Sequence, residues 1–283
     1  MRHKVCNHIL FWVERNLETG RKINDMVIAI GYSRRTIEKW FYSQYGLLPG
    51  EYLFRRRMSR VSVILRFTLL SITEIATLFH YSSTQNFTRA YHKYSGKTPT
   101  AYRRSEMWDC STLQHSFIYD EYISADVKEC ILPEQYLLGD ILRAQDVFFY
   151  NDNRSIVITI KDIVSSYFHK HKNELHIAAQ TIVNKSLNLN RKGVIDVLIT
   201  SGKLSETNDG TAILLRGGKY LNYHFNGTWE DYYIFTRIFY IKLLSEGKYK
   251  LFDSPTYILF YFVETHGHEL KNIECDIYIP ISD

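Results

Sequence analysis

Residues 82–104 read SSTQNFTRAYHKYSGKTPTAYRR. The amides of Gln85 and Asn86 can each pair with two atoms of an adenine edge, and the Arg89 guanidinium can do the same with guanine. Thr84 adds a hydroxyl that serves either base. Lys93, Lys97, Arg103 and Arg104 follow at intervals that suit phosphate oxygens. A polar, basic stretch of this kind also occurs as plain solvated surface. The elements that carry these residues decide between the two readings.

Ser82 or Ser83 can cap a helix on which Phe87, Ala90 and Tyr91 turn inward. Thr84, Gln85, Asn86 and Arg89 then point outward. Just before it, Ser71 and Glu74 form a capping box. That box opens a short helix with Ile72, Ile75, Ala76 and Phe79 on its apolar face. Helix, tight turn, helix is the helix-turn-helix pattern. The same pattern occurs earlier. Residues 5–17 place Val5, Ile9, Trp12, Val13 and Leu17 at helical spacing. Asn24 is expected to cap a helix through Ile30, and Gly31 to end it in a left-handed turn. Ser33 caps the next helix, with Ile37, Trp40 and Phe41 inward. Arg34, Arg35, Glu38 and Lys39 remain on its outer side. Residues 50–67 lack an interior Gly or Pro after Gly50 and read as one connecting helix, about 27 Å long at 1.5 Å per residue. Successive major-groove faces lie about 34 Å apart. That helix and its turns would therefore hold two reading helices about one DNA turn apart, with no need for a dimer. Arg55, Arg56, Arg57 and Arg60 lie on it, and salt bridging is at least as good a reading for each as phosphate contact. Thr98 caps a last short helix beginning at Pro99, where backbone amides and Lys97 could hold a phosphate.

The charge distribution agrees. The 283-residue chain carries a formal charge of only +5. Residues 1–105 hold 18 Lys and Arg against 6 Asp and Glu, whereas residues 106–283 hold 17 against 24. A basic half joined to an acidic half suggests two domains with different partners, the basic one facing a polyanion. Apolar content of 45% and charged content of 23% suit a folded soluble protein. The basic, partly apolar N-terminus is interrupted by Glu14, Arg15 and Asn16 and reads as a first helix rather than a signal peptide. Cys6, Cys110, Cys130 and Cys275 are far apart, which argues for reduced thiols over a zinc site or disulfide framework.

These residues resemble the AraC/XylS transcription regulators, and within them the MarA, SoxS and Rob group. The likeness covers about residues 5–107. It rests on AIGYSRRTIEKWF, YLFRRRMSRV and ITEIA, and on Phe87, Arg89, Tyr91, Gly96, Thr98, Pro99, Tyr102 and Arg103 in the stretch quoted first. The resemblance implies a tandem helix-turn-helix domain over residues 1–107. Its base-reading positions would be Arg35, Glu38 and Lys39 in the first unit and Thr84, Gln85, Asn86 and Arg89 in the second. Arg34, Lys93, Lys97, Thr98, Arg103 and Arg104 would hold phosphates. Relatives tend to carry Trp, Gln and Arg in the first helix, so Arg35, Glu38 and Lys39 imply an altered preference at that half of the site. The resemblance further implies monomeric binding to promoter DNA, RNA polymerase as a partner, and a cytoplasmic, nucleoid-associated location in a bacterium.

From about residue 115 the pattern changes. Strands are expected at 116–124, 134–141, 194–202, 211–227 and 273–281, with helices near 155–170 and 228–245. This makes an α+β domain with an antiparallel sheet, residues 108–283. RGGKYLNYHFNG and ECDIYIPI resemble the GyrI-like effector-binding domain. That family's fold is a pseudo-two-fold sheet with a central groove for cationic or aromatic small molecules. The likeness implies Asp276 as counter-charge, with Glu274 and Tyr278 on its face and Trp229 as an aromatic partner. Solvated strand carboxylates among core tyrosines are the competing reading.

Other motifs carry little. Gly217, Gly218 and Lys219 hint at a phosphate loop, but Ile213 stands where its first Gly is required and Tyr220 where Ser or Thr is required. A bend or bulge in a hairpin is expected instead. The pairs His169 and His171, and His266 and His268, lack a carboxylate framework for a metal. No catalytic residue, metal or cofactor is expected, and no enzyme. The expected function is a sequence-specific transcription regulator, an activator. The alternatives are a GyrI-like small-molecule binder or hydrolase with a secondary DNA-binding half, and an architectural DNA binder with little sequence preference.

Overall fold

In the computed structural model the described residues are 1–118, 127–147, 154–182, 194–208, 212–236, 242, 249–251, 254–264 and 270–282. The first hundred residues fold as α1 (Arg2–Arg15), α2 (Ile23–Ile30), α3 (Arg34–Tyr45), α4 (Pro49–Phe67), α5 (Ile72–Leu78), α6 (Thr84–Ser95) and α7 (Pro99–Arg104). Local chemistry sets these bounds. Ser33, Ser71, Ser83 and Thr98 each accept a hydrogen bond from the amide three residues on. Each such cap is worth about 1 kcal/mol. Gly31, Gly46 and Gly96 end α2, α3 and α6 in left-handed backbone. The expected cap of α2 is corrected: the helix starts at Ile23 with Lys22 as N-cap, because the Asp25 carboxylate takes the Lys22 amide at 2.6 Å.

Two apolar clusters build the helical half. Val5, Ile9, Val13, Met26, Ile37, Phe41 and Tyr52 fill the first, around α1 to α3 and the start of α4. Met58, Ile64, Ile75, Phe79, Phe87, Tyr91 and Tyr102 fill the second, around the rest of α4 and α5 to α7. The units repeat each other. Ser33, Ile37, Phe41, Gly46 and Pro49 recur fifty positions on as Ser83, Phe87, Tyr91, Gly96 and Pro99.

The second half is an antiparallel sheet of β2 (Val127–Leu132), β3 (Gln135–Val147), β4 (Leu175–Ile182), β5 (Val194–Ser205), β6 (Ile213–Leu215), β7 (Gly218–Thr228), β9 (Thr256–Tyr261) and β10 (Asn272–Ser282). Two short strands, β1 (Trp108–Asp109) and β8 (Lys250–Leu251), extend it at the end of β10. The spatial order is β2-β7-β10-β9-β4-β5-β3-β6. An approximate two-fold runs through the β4–β9 pair, where Ile177 faces Ile258. On one side β3 leads through α8 (Ser155–Phe168) to the hairpin β4–β5. On the other, β7 leads through the helical residues 229–236 to the hairpin β9–β10. The expected fold, tandem helix-turn-helix then α+β antiparallel sheet, is the one observed.

Ile160, Val164, Trp229, Tyr232 and Phe235 pack with Ile177, Ile199, Ile258, Phe260 and Ile277 on one sheet face. Leu137, Ala178, Leu215, Tyr257, Leu259 and Tyr278 gather on the other. Several strand expectations need correction. Phe117 and Ile118 form a helical turn rather than a strand, and residues 119–126 lie outside the described residues, as do most of 237–248. Gly217 and Gly218 do not turn a hairpin. They carry the chain from β6, beside β3, to β7, beside β10.

Residues 108–118 tie the halves together. β1 pairs with β8, which pairs in turn with β10. Phe117 stacks on Tyr45 and Tyr52, at 4.9 and 4.8 Å between ring centroids. Ser59 Oγ accepts from the Gln114 amide at 2.7 Å, and Arg56 donates to the Gln114 carbonyl at 2.6 Å.

Candidate nucleic-acid interface

The fifty-residue repeat places Arg35 and Lys39 of α3 at the same helical positions as Gln85 and Arg89 of α6. All four are exposed, and each reading helix is anchored from behind by a fully buried pair: Ile37 with Phe41, and Phe87 with Tyr91. Each helix thus turns one face into its own core and the other, carrying long donors, outward. Asn86 is exposed too, and its amide donates to Ser82 Oγ at 2.9 Å. Thr84 is half-buried and bonds Thr73 of α5 at 3.3 Å. Glu38 is half-buried and meets Arg34 one turn back at 2.8 Å. An i,i+4 pair of this exposure contributes only a few tenths of a kcal/mol, so it leaves both side chains available to other partners.

The phosphate set divides. Lys93 and Arg104 are exposed, and Lys97 is half-buried beside the Asp109 carboxylate, whose pKa falls below its usual value mainly through hydrogen bonds from Ser111 that outweigh burial, with Lys97 adding to the shift. Thr98 Oγ1 is occupied as the α7 cap, accepting from Ala101 at 3.2 Å. Arg103 does not fit its expected role. Its Nε donates to the Leu65 carbonyl at 3.0 Å and its Nη2 to the Leu70 carbonyl at 2.6 Å. It bridges the end of α4 to the start of α5, and burial pulls its pKa down. Leu65 lies in the last turn of α4 and Leu70 just before α5, where helix ends leave carbonyls that a side-chain donor can serve.

The connecting-helix arginines are likewise structural. Arg56 grips Glu14 with Nε and Nη2, both at 2.8 Å, and the two side chains are only 12% and 13% exposed. Burial works against the Arg56 charge, but Glu14 overrides it and the net shift is upward. Arg60 pairs with Glu18 at 3.1 Å, and Arg57 donates to the carbonyls of Asn16, Leu17 and Arg21. Arg55 pairs with Glu51 on the surface.

In the sheet half, Glu274, Asp276 and Tyr278 do come together on one face. Register adds residues that sequence reasoning did not pick out. His224 of β7 stands opposite Asp276 and donates through Nδ1 to its Oδ1 at 2.8 Å. Tyr261 of β9 donates to Oδ2 at 2.7 Å, and Tyr278 reaches the same oxygen at 3.4 Å. Burial, then the Asp276 charge, pushes the Tyr278 hydroxyl up to about 12. Trp229 is not part of this cluster. It is buried on the opposite face, donates to the Leu270 carbonyl at 2.9 Å and packs against Tyr232 and Phe260. Only the strand pairing, which is not local in sequence, shows which residues face Asp276.

A family profile described as a helix-turn-helix domain matches residues 26–105. The chain is 30% identical over 135 residues to the transcriptional regulator Rob of Salmonella typhimurium, covering 48% of this chain and 47% of Rob. It is 30% identical over 102 residues to the HTH-type transcriptional activator AarP of Providencia stuartii, covering 36% of this chain and 76% of AarP. Among solved structures it is similar to a Chromobacterium violaceum regulator with an AraC-type DNA-binding domain, at 27% identity and a TM-score of 0.33, over 36% of this chain and 90% of that one. The chain spans about half the length of the curated relatives it first matches. Among the described residues, no helix is long and apolar enough to cross a membrane.

Proposed function

Because the chain belongs to the AraC/XylS family of helix-turn-helix transcription regulators, we propose that it binds promoter DNA as a monomer and activates transcription. Its α3 and α6 enter adjacent major-groove segments. Arg35, Glu38 and Lys39 read one box, and Thr84, Gln85, Asn86 and Arg89 read the other. Arg34, Lys93, Lys97 and Arg104 hold phosphates. The observation that carries this reading is the equivalence of the outward faces: Arg35 with Gln85, and Lys39 with Arg89, on helices whose inner faces are fully buried. Side chains of that type at repeated positions suit base edges in two successive grooves.

Domain limits of 1–107 and 108–283 belong to the same proposal, with residues 108–118 as the strap between them. The second domain is read as a GyrI-like, non-enzymatic regulatory unit, with RNA polymerase and a small aromatic or cationic effector as further partners. The Asp276 face supports the effector reading, since a carboxylate framed by Tyr257, Tyr261 and Tyr278 suits an organic cation.

Fluorescence anisotropy with a selected duplex and with random duplex DNA tests the DNA-binding reading. Gln85→Ala and Arg89→Ala are each expected to cost about 1–3 kcal/mol on the selected site and little on random DNA. Equal losses on both would make the protein an architectural binder.

A further inference from the structure

Besides α4, a polar contact joins the two reading units. The loop between α1 and α2 meets the turn between α5 and α6. His80 Nε2 donates to the Glu18 carbonyl at 3.0 Å. The His80 ring lies directly over Gly20, where a Cβ would come within 2.7 Å of His80 Cγ. Both residues are held in left-handed backbone, Gly20 at φ 68° and His80 at φ 59°. His80 takes that conformation as the residue that closes α5, where the Tyr81 amide reaches the Ala76 carbonyl at 2.9 Å. From α4, Arg57 reaches the carbonyls of Asn16, Leu17 and Arg21, and Arg60 reaches Glu18. The loop is thereby fastened to the connecting helix on one side and to the second unit's turn on the other.

α4 runs through the apolar clusters of both units and joins them along one helix. The His80 contact joins them a second time, between loops outside α4. We propose that the loop of residues 18–20 and the His80 turn form a clamp that fixes the separation of α3 and α6, making Gly20 and His80 positioning residues that set the box spacing the protein accepts. The proposal rests on the two-helix reading of duplex DNA given above. One base pair added between the boxes rotates the second by about 35° and moves it by about 3.4 Å. A pair of helices joined at both α4 and the clamp resists that change more than a pair joined through α4 alone.

The test is competition anisotropy on the full chain with a duplex selected by the wild type from a random pool, the same duplex with one base pair inserted or removed between the boxes, and a scrambled duplex. The wild type is expected to lose about tenfold or more on either shifted site, the scale of a mismatched base pair. His80→Ala is expected to bind the unshifted site within about threefold of wild type, yet to lose less than about threefold on the shifted ones. His80→Gln keeps a donor at similar reach and is expected to restore the wild-type ratio. If His80→Ala fails to fold, Gly20→Ala displaces the ring and supports the same comparison. Equal shifted-to-unshifted ratios in wild type and variant, with both still rejecting the scrambled duplex, would overturn the clamp and leave the DNA reading intact. A wild type that does not distinguish selected from scrambled duplex would overturn that reading and the clamp with it.

Discussion

Glu14 and Arg56 offer a perturbation whose magnitude and sign both follow from the structure. The pair is bidentate, 12–13% exposed, and joins α1 to α4. Glu14→Ala leaves the guanidinium bonded to the Gln114 carbonyl, with Arg60 nearby as a like charge. Removing one partner of a buried pair costs about 3–5 kcal/mol, and the residual exposure favours about 3. The double variant Glu14→Met with Arg56→Met removes both charges. Its expected gain of about 1–4 kcal/mol is offset by the lost bond to Gln114, about 1.5–3 kcal/mol. The double variant should therefore stay within about 1 kcal/mol of wild type. Urea denaturation followed by circular dichroism at 222 nm reports mainly the helical half. With a slope of about 1–3 kcal/mol per molar, Glu14→Ala should lower the midpoint by about 1–3 M. The double variant should also keep the wild-type slope of log affinity against log salt, because Arg56 touches no phosphate. A double variant as unstable as Glu14→Ala, or a salt slope reduced by about 0.9, would refute the structural assignment of Arg56.

Lys93→Ala and Arg104→Ala should weaken binding to selected and random duplex alike, each lowering the salt slope by about 0.9. Anisotropy titrations from 50 to 200 mM salt check this, and a loss confined to the selected site would contradict it. Alkaline pH should unfold the helical half. Burial raises the hydroxyl pKa values of Tyr52, Tyr91 and Tyr102 above the ordinary value, so their contribution is complete below about pH 10 and is lost above it, where the unfolded chain ionises first. The urea midpoint should hold from pH 7 to 9 and fall steeply beyond pH 10. A midpoint that stays level through pH 11.5 would contradict the assignment.

The reading helices were legible because their determinants are local. Ser71 with Glu74, Ser83, Gly96 and Thr98 act on residues three or four positions away, and the apolar spacing does the rest. Asn24 misled because Asp25 supplies the carboxylate that fixes the start of α2 two residues earlier, with Lys22 as N-cap. Arg103 carries the family's charge, yet its destination depends on carbonyls 33 and 38 positions away. The sheet was harder for the same reason. Trp229, which the family likeness placed in the groove, is buried with Tyr232 and Phe235 on the opposite face. His224 and Tyr261 entered the Asp276 cluster only through cross-strand register.

Selection of binding sites from random duplex DNA by the whole protein, at 150 mM salt, tests the central claim most directly. The account predicts an asymmetric motif of two short boxes about one helical turn apart, with the altered preference confined to the box read by Arg35, Glu38 and Lys39. A pool without an enriched motif, bound with an affinity that falls steeply with salt, would contradict it.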